Sequence, residues 1–260
     1  MLSILIPTKD YKIGLQRIIK NISEKNSKIK IIISDDSTNN EIEKYIKKLN
    51  FSNISYSRNA KTLGLAGNFN KLLKQCKSRY LMFIHHDDYI NDRYFFYKLF
   101  RLIKNNKYPD IISIDTEVEN LGTKKKSWHI NYFLRYFLNL ISKKYILKRN
   151  YFGPLSSLII KNINLPLFDN KLKWLVDVDF YYRVLLGRKI IFTDILNIKS
   201  EANHKYSATF KMRKHIKKIH KQEYKYLREK YKFSFFNNFF FIFDKFFWIL
   251  IRTLNLFFKK

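Results

Sequence analysis

The feature that most constrains this chain is a set of short, β-branched apolar runs that each stop at a polar or acidic cluster. Leu2-Ser3-Ile4-Leu5-Ile6 ends at Pro7, and Lys30-Ile31-Ile32-Ile33-Ser34 ends at Asp35-Asp36-Ser37. Consecutive branched residues suit a strand covered on both faces, as parallel strands are. Between the two runs, Ile13, Ile18, Ile19 and Ile22 recur at roughly helical spacing, so the opening of the chain reads strand, helix, strand. A second helix over about 41–49 leads to Ile54-Ser55-Tyr56, and the segment 68–76 precedes a strong strand at 80–84. This alternation predicts an α/β fold, with a mainly parallel sheet joined by right-handed crossovers.

In such sheets ligands bind beyond the carboxyl ends of the strands, where the strand order reverses. Polar residues gather at those ends: Pro7-Thr8-Lys9-Asp10 after the first strand, Asp35-Asp36-Ser37 after the second, His85-His86-Asp87-Asp88 after the fourth. Any one of these serves equally well as a turn or a helix cap. Three on one rim predict a binding site.

The 260 residues include 51 Lys plus Arg against 21 Asp plus Glu, a net charge of +30. That excess implies an anionic partner: nucleic acid, an anionic membrane surface or a phosphorylated substrate, among which charge alone does not choose. With 46% hydrophobic and 17% aromatic residues the chain is too apolar for disorder. Its one cysteine, Cys76, excludes an internal disulfide, and no Cys/His cluster has zinc spacing. The N-terminus lacks the basic region and long apolar run of a signal peptide, so the catalytic part is expected in the cytoplasm.

Further along, 115–150 is basic and aromatic without clear periodicity, which suits a mobile loop or helices over an acceptor groove. A turn at 151–157 feeds a strand, a helix carrying Asp177 and Asp179 begins near Trp174, and a polar loop at 204–210 precedes a lysine-rich helix at 212–232. The last segment, 235–258, is long enough to span a bilayer but contains Asp244, Lys245 and Arg252. Asn238, Lys245, Arg252 and Lys259 recur every seven residues as a polar stripe on an otherwise apolar helix. A helix lying in the membrane interface fits this pattern. A core or oligomer-interface helix and a single spanning helix are the alternatives.

The rim clusters, in their order, resemble the family two inverting glycosyltransferases of GT-A fold. The matching segments are Ser3 to Thr8, Ile33 to Ser37, Asn59 with Leu63-Gly64 and Asn70, Phe83 to Asp88, and Val176 to Arg183. The resemblance covers about 1–210 as a GT-A domain with a Rossmann-like, mainly parallel sheet flanked by helices. It leaves 211–260 as a basic helix plus a helical, membrane-associating tail.

By that resemblance, Pro7, Thr8, Asp10, Asp35 and Asp36 line the pocket for nucleotide base and ribose, where carboxylates accept from N–H and hydroxyl groups. Gly64 lets the backbone pass close to the nucleotide, Asn70 holds loop and helix together, and Gly153-Pro154 with Ser156-Ser157 shapes the floor. Asp87 contacts ribose or sugar, and Asp88 is the ligand for a divalent Mn or Mg that neutralises the departing diphosphate. His86 stands where the family's acidic motif has its first Asp. His204, in a late loop, is a second candidate ligand, with a surface or structural role as its alternative. Asp177 matches the catalytic base; Asp179, able to pair with Arg183 four residues on, is its competitor.

The implied function is transfer of a sugar from a nucleotide-sugar donor to a glycan acceptor, with no nucleic-acid partner. The basic aromatic tail points to a polyprenyl-diphosphate-linked acceptor, surface polysaccharide or lipopolysaccharide assembly, and a peripheral location on the cytoplasmic face of the inner membrane. The competing readings are a basic nucleic-acid-binding protein and a nucleotidyltransferase on a related sheet. The second usually needs a Gly-rich phosphate loop, and Pro7 to Leu15 holds only Gly14.

Overall fold

The computed structural model describes residues 2–49, 51–202, 210, 212, 214–232 and 244–257. The polar loop at 204–209, with His204, and much of 235–258 lie outside these residues.

The opening alternation folds as the sequence predicts. Strand β1 (Leu2–Thr8) is followed by helix α1 (Lys12–Lys25), β2 (Lys30–Asp35), α2 (Glu41–Lys47), β3 (Ile54–Arg58), α3 (Gly64–Gln75) and β4 (Tyr80–Phe83). These four strands are parallel and lie in the order β3-β2-β1-β4. The chain thus runs outward from β1 to β3, then crosses back to place β4 on the other side of β1, and the carboxyl ends of β1 and β4 flank the reversal.

Alternation along each strand sorts the core into two layers. Ile4, Ile6, Ile31, Ile33 and Met82 face Leu15, Ile18, Ile19 and Ile22, the apolar stripe of α1. Leu5, Ile32 and Leu81 face the opposite way, against Ala66, Phe69, Leu72 and Leu73 of α3. Because both faces are covered, apolar runs rather than alternating patterns mark these strands.

The second half completes the sheet. It adds β5 (Asp88–Tyr89), α4 (Phe95–Asn105), β6 (Ile111–Asn120), β7 (Lys126–Trp128), α5 (Tyr132–Ile141), β8 (Leu158–Lys161), α6 (Val176–Leu185) and β9 (Ile190–Ala202). Beyond β4 the order is β8-β6-β9-β5, with β8 antiparallel to both neighbours, β6 and β9 parallel, and β7 antiparallel to β6. The stretch 115–150 is therefore the charged end of β6, a hairpin and a capped helix, in which Asn131 accepts from the Leu134 N–H at 2.9 Å. Its missing periodicity comes from switching between these elements within a few residues.

Two further helices, α7 (Ile216–Lys230) and α8 (Asp244–Phe257), lie on the α3 side of the sheet. Leu227 and Ile251 are part of that core layer, so the described parts of 211–260 pack onto the preceding domain. Of the polar stripe inferred for the tail, Lys245 and Arg252 are exposed and Asn238 and Lys259 lie outside the described residues; Asp244 and Asn255, off the stripe, are buried and hydrogen-bonded. Among the described residues no helix is long and apolar enough to cross a membrane.

Candidate active site

Pro7, Thr8, Asp36, Gly64, Asp87, Asp88 and Asp177 line one cavity of about 860 Å³. The cavity opens beyond the carboxyl ends of β1 and β4, where the sheet order reverses. Asp36 accepts from the Leu63 N–H at 3.1 Å and from the Asn59 amide, which ties the loop before α3 to the end of β2. Gly64, the first residue of α3, has φ of +72°, a left-handed conformation that L side chains rarely adopt. Asn70 clamps Phe168, donating to its carbonyl at 2.9 Å and accepting from its N–H at 2.7 Å. It is thus a brace between α3 and a distant loop.

Two of the nucleotide-pocket candidates are placed outside the cavity lining. Asp35 accepts from the Ser37 N–H and the Tyr56 hydroxyl, at 2.8 and 2.7 Å. Asp10, at φ of +51°, accepts from the N–H and hydroxyl of Thr38. Asp10 thus ties the β1 loop to the β2 loop, and Asp35 ties the end of β2 to β3.

The acidic cluster after β4 is built by a turn. The Asp88 N–H donates to the His85 carbonyl at 3.0 Å, which folds His85 back so that its Nδ1 lies 3.4 Å from Asp88 Oδ2. Ser156 donates to the same oxygen at 2.7 Å. The end of β9 fixes the cluster from the other side, as Glu201 N–H donates to the Asp87 carbonyl at 2.8 Å and Asp88 pairs with Ser200. His85, Asp87 and Asp88 each bring one ligand atom, all within 4.8 Å of one another.

That donor set fits a hard divalent cation. Among the described residues, Asp88 Oδ1 is buried without a hydrogen-bond partner, and so is His85 Nε2, whose ring partner Nδ1 faces Asp88. Burial raises the Asp88 carboxyl, but the hydrogen bonds and charge of His85 outweigh it and hold the group below the usual carboxylate range. Asp87 is pushed up by burial and by the neighbouring Asp88 charge. It is His85, not His86, that joins the carboxylates; the His86 ring packs edge-on against Tyr11 at 5.1 Å. A histidine three residues before an acid in a tight turn was the signal available for it.

Asp177 sits in the first turn of α6. Its Oδ1 accepts from the Val178 N–H at 2.8 Å and its Oδ2 from Asn150 Nδ2 at 3.1 Å. Burial raises its pKa to about 6. Asn150 also accepts from the Phe152 and Gly153 N–H groups, so one side chain joins the Gly153-Pro154 turn to Asp177. Gly153 has φ of +97°, and a Cβ there would meet the His129 ring at 3.3 Å. The competitor Asp179 is fully buried and spent: Arg183, the Lys230 ammonium at 2.8 Å and the Tyr231 hydroxyl at 2.6 Å all reach it.

Glu223, on α7, holds the start of α6. Its carboxylate accepts from the N–H groups of Lys173, Trp174 and Leu175, between 2.6 and 3.3 Å. It thus fixes the turn that leads into α6, whose N-cap residue is Leu175, and sets a negative charge near the positive end of the helix. Partners 27 residues away for Asn150 and about fifty for Glu223 leave no local pattern, which is why the sequence alone does not mark either residue.

The cavity lining also has a basic and aromatic part, made by Lys148, Arg149, Lys173, Trp174, His220 and Trp248. Burial, then the charges of Lys148 and Arg149, hold the His220 pKa down.

A parallel half-sheet whose strand ends carry an acidic turn, and an opposing helix that presents one carboxylate to the same cavity, define the GT-A glycosyltransferase class. The chain belongs to the glycosyl transferase family 2, whose family model matches residues 3–161. No curated protein matches it in sequence. Among solved structures it is similar to S. aureus TarS 1–349 in complex with UDP-GlcNAc, at 17% identity and a TM-score of 0.63, over 80% of this chain and 60% of that one. A second TarS 1–349 structure, with UDP, aligns over 92% of this chain and 74% of that one at a TM-score of 0.60. The mannosyltransferase PcManGT from Pyrobaculum calidifontis, in complex with GDP-Man and Mn2+, aligns at 12% identity and a TM-score of 0.59, over 85% and 63%. This chain spans 60% of the chain in a further TarS 1–349 structure.

Proposed function

We propose that this chain is an inverting glycosyltransferase that moves one sugar from a nucleotide-sugar donor to a hydroxyl of a lipid-linked glycan acceptor. The observation that carries this reading is that Asp177 lines the cavity of the His85, Asp87 and Asp88 cluster with a carboxylate no cation neutralises among the described residues. Inversion needs one such group. The acceptor oxygen bonds to the anomeric carbon as the bond from that carbon to the nucleotide phosphate breaks, and the acceptor proton passes to Asp177.

With its pKa near 6, Asp177 is ionised at neutral pH yet basic enough to take that proton. Asn150 orients the carboxylate through Oδ2. Pro7, Thr8 and Asp36 receive the nucleoside. His85, Asp87 and Asp88 would hold Mn or Mg, which supplies positive charge opposite the departing diphosphate. The bound donors of TarS and PcManGT support a nucleotide-sugar here, and the Mn2+ of PcManGT supports the cation.

In the same cavity, Lys148 and Lys173 suit an anionic group on the acceptor, and Trp174 and Trp248 offer faces on which a sugar ring stacks. A glycan carried on a polyprenyl diphosphate combines both features. Such an acceptor places the enzyme on the cytoplasmic face of the cell membrane, in surface polysaccharide or lipopolysaccharide assembly. A thermal-shift and hydrolysis screen of UDP-, GDP- and CMP-sugars with and without Mn tests the reading. One donor should stabilise the protein in a Mn-dependent way; failure of every donor, with salt-sensitive DNA binding that survives Asp88→Asn and Asp177→Asn, would overturn it.

A further inference from the structure

Helices α5 and α8 each have an inner face that belongs to the core and an outer face that does not. On α5 the inner residues are Leu134, Arg135 and Leu138, with the Arg135 guanidinium paired to Asp115 in the interior. On α8 they are Asp244, Ile251 and Asn255. Asn255 accepts from the Asn131 N–H at 2.8 Å and donates to the His129 carbonyl at 3.2 Å. At the other end of α8, Asp244 accepts from Arg149 at 2.7 and 3.0 Å and from the Tyr145 hydroxyl at 3.1 Å. Asn131 precedes α5 and Tyr145 follows it, so α8 spans the same stretch in the opposite direction and is pinned at both ends.

The outer faces are apolar. Twenty-four large hydrophobic side chains are exposed among the described residues, and six of them lie on α5 and five on α8, two short helices of 10 and 14 residues. Phe137 and Leu140 on α5 are 42% and 69% exposed, and Ile249 and Phe257 on α8 are 65% and 69%. Monomeric soluble proteins rarely leave such a concentration uncovered.

Charge decides what covers it. Residues 132–149 and 244–257 contain seven Lys or Arg and a single acid, Asp244, which is buried against Arg149. Lys144, Lys245 and Arg252 are exposed, and none has an acidic partner among the described residues. A second copy meeting this face across a two-fold axis would set cation against cation. Anionic headgroups complement the same charges while the acyl boundary takes up the apolar side chains.

We propose that the outer faces of α5 and α8 form one docking surface for an anionic lipid bilayer. Trp248 of α8 lines the cavity while Ile249 and Leu250, on the outer side of the same helix, face the lipid. Docking therefore brings the part of the cavity lined by Trp248 close to the headgroup layer. This deepens the lipid-linked acceptor reading, but its test needs neither donor nor acceptor.

Flotation of the purified full chain with vesicles of phosphatidylcholine alone, or of phosphatidylcholine and phosphatidylglycerol in equal parts, reads the docking directly. Binding is expected to the anionic vesicles, weakening as salt shortens the screening length from about 10 Å to about 3 Å. Lys245→Glu with Arg252→Glu should weaken it at least roughly thirtyfold, from the loss of two near-surface cations. Phe137→Ser and Ile249→Ser, one on each helix, should each weaken it about tenfold while leaving donor-induced thermal stabilisation unchanged. The charge pair lies on exposed positions, so a folded variant remains even where an apolar substitution unfolds the chain. Equal affinity for both vesicles, binding that survives both sets of substitutions, or a lipid-free dimer that Phe137→Ser or Ile249→Ser dissociates would overturn the proposal. Loss of donor stabilisation with intact vesicle binding would instead count against the transferase reading.

Discussion

Replacing Asp177 by Asn removes the charge of the proposed base while keeping its shape, and the structure sets the size of each consequence. The carboxylate receives two N–H donors, from Val178 and Asn150. An amide offers one oxygen and one NH2, so one donor loses its acceptor, at a cost on the order of 1–3 kcal/mol. Burial works in the opposite direction. It holds the folded-state pKa at about 6, above the unfolded value of about 3.9. The folded protein therefore binds this proton more tightly, and the resulting stability is fully present below about pH 4 and lost as pH rises through 6. Between pH 5 and 7.5 the wild type gives up roughly 1.4 kcal/mol on this account, and the variant gives up none.

The stability gap between the two proteins should thus be widest at pH 5 and smaller by about 3–5 °C in Tm at pH 7.5, measured by thermal unfolding in EDTA. Transfer should fall by about 10²–10⁴ at neutral pH, the usual contribution of a positioned base. Donor affinity, read by calorimetry, should stay within about threefold, because catalysis is lost without loss of ground-state binding. The wild-type rate should drop tenfold per pH unit below about 6, and the variant should lack that limb. A variant that keeps more than a tenth of the wild-type rate, or that shows the same acid limb, would refute Asp177 as the base.

Three further substitutions probe the framework. Asp88→Asn should weaken Mn-dependent donor binding at least about tenfold, since a ligand carboxylate is lost while the Ser156 contact can persist; calorimetry with and without Mn showing an unchanged Mn effect would argue against the cation site. Glu223→Ala strips the acceptor from three N–H groups at the start of α6 and should cost about 3 kcal/mol, or roughly 6–12 °C in Tm. A smaller transfer rate at unchanged donor affinity should accompany it, because Asp177 rides on that turn. Gly153→Ala combines a left-handed φ with contact against the His129 ring and should cost about 1–3 kcal/mol by thermal unfolding; a neutral effect would mean that the turn relaxes freely.

The parallel half of the sheet was legible because its physics is local. Ile4 to Ile6 and Ile31 to Ile33 are apolar on consecutive positions, as suits a strand covered on both sides, and the acids that follow such strands, Asp36 and Asp88, gather at one rim. The second half was less legible. β6 runs from Ile111 into Asp115, Thr116, Glu117 and Glu119, and β9 keeps a mixed pattern over its length. Those residues are strand because each pairs with the other across a bulge between Ile114 and Asp115, and no window of one sequence contains that pairing.

The same division runs through the site. By itself the sequence determined that acidic clusters lie at the strand ends, that Asp177 opens a helix and that the chain is strongly basic, since residue type and spacing fix these. Only the tertiary structure decided which carboxylates remain available. Asp179 is consumed by Arg183, Lys230 and Tyr231, and Asp10 and Asp35 by loop contacts, whereas Asp88 keeps a bare buried oxygen. It also buried Asp244 and Asn255, outside the tail's heptad stripe, so that α8 packs on the core. A side chain's chemistry is written in its type, but its availability depends on what packs against it, and those neighbours come from anywhere in the chain.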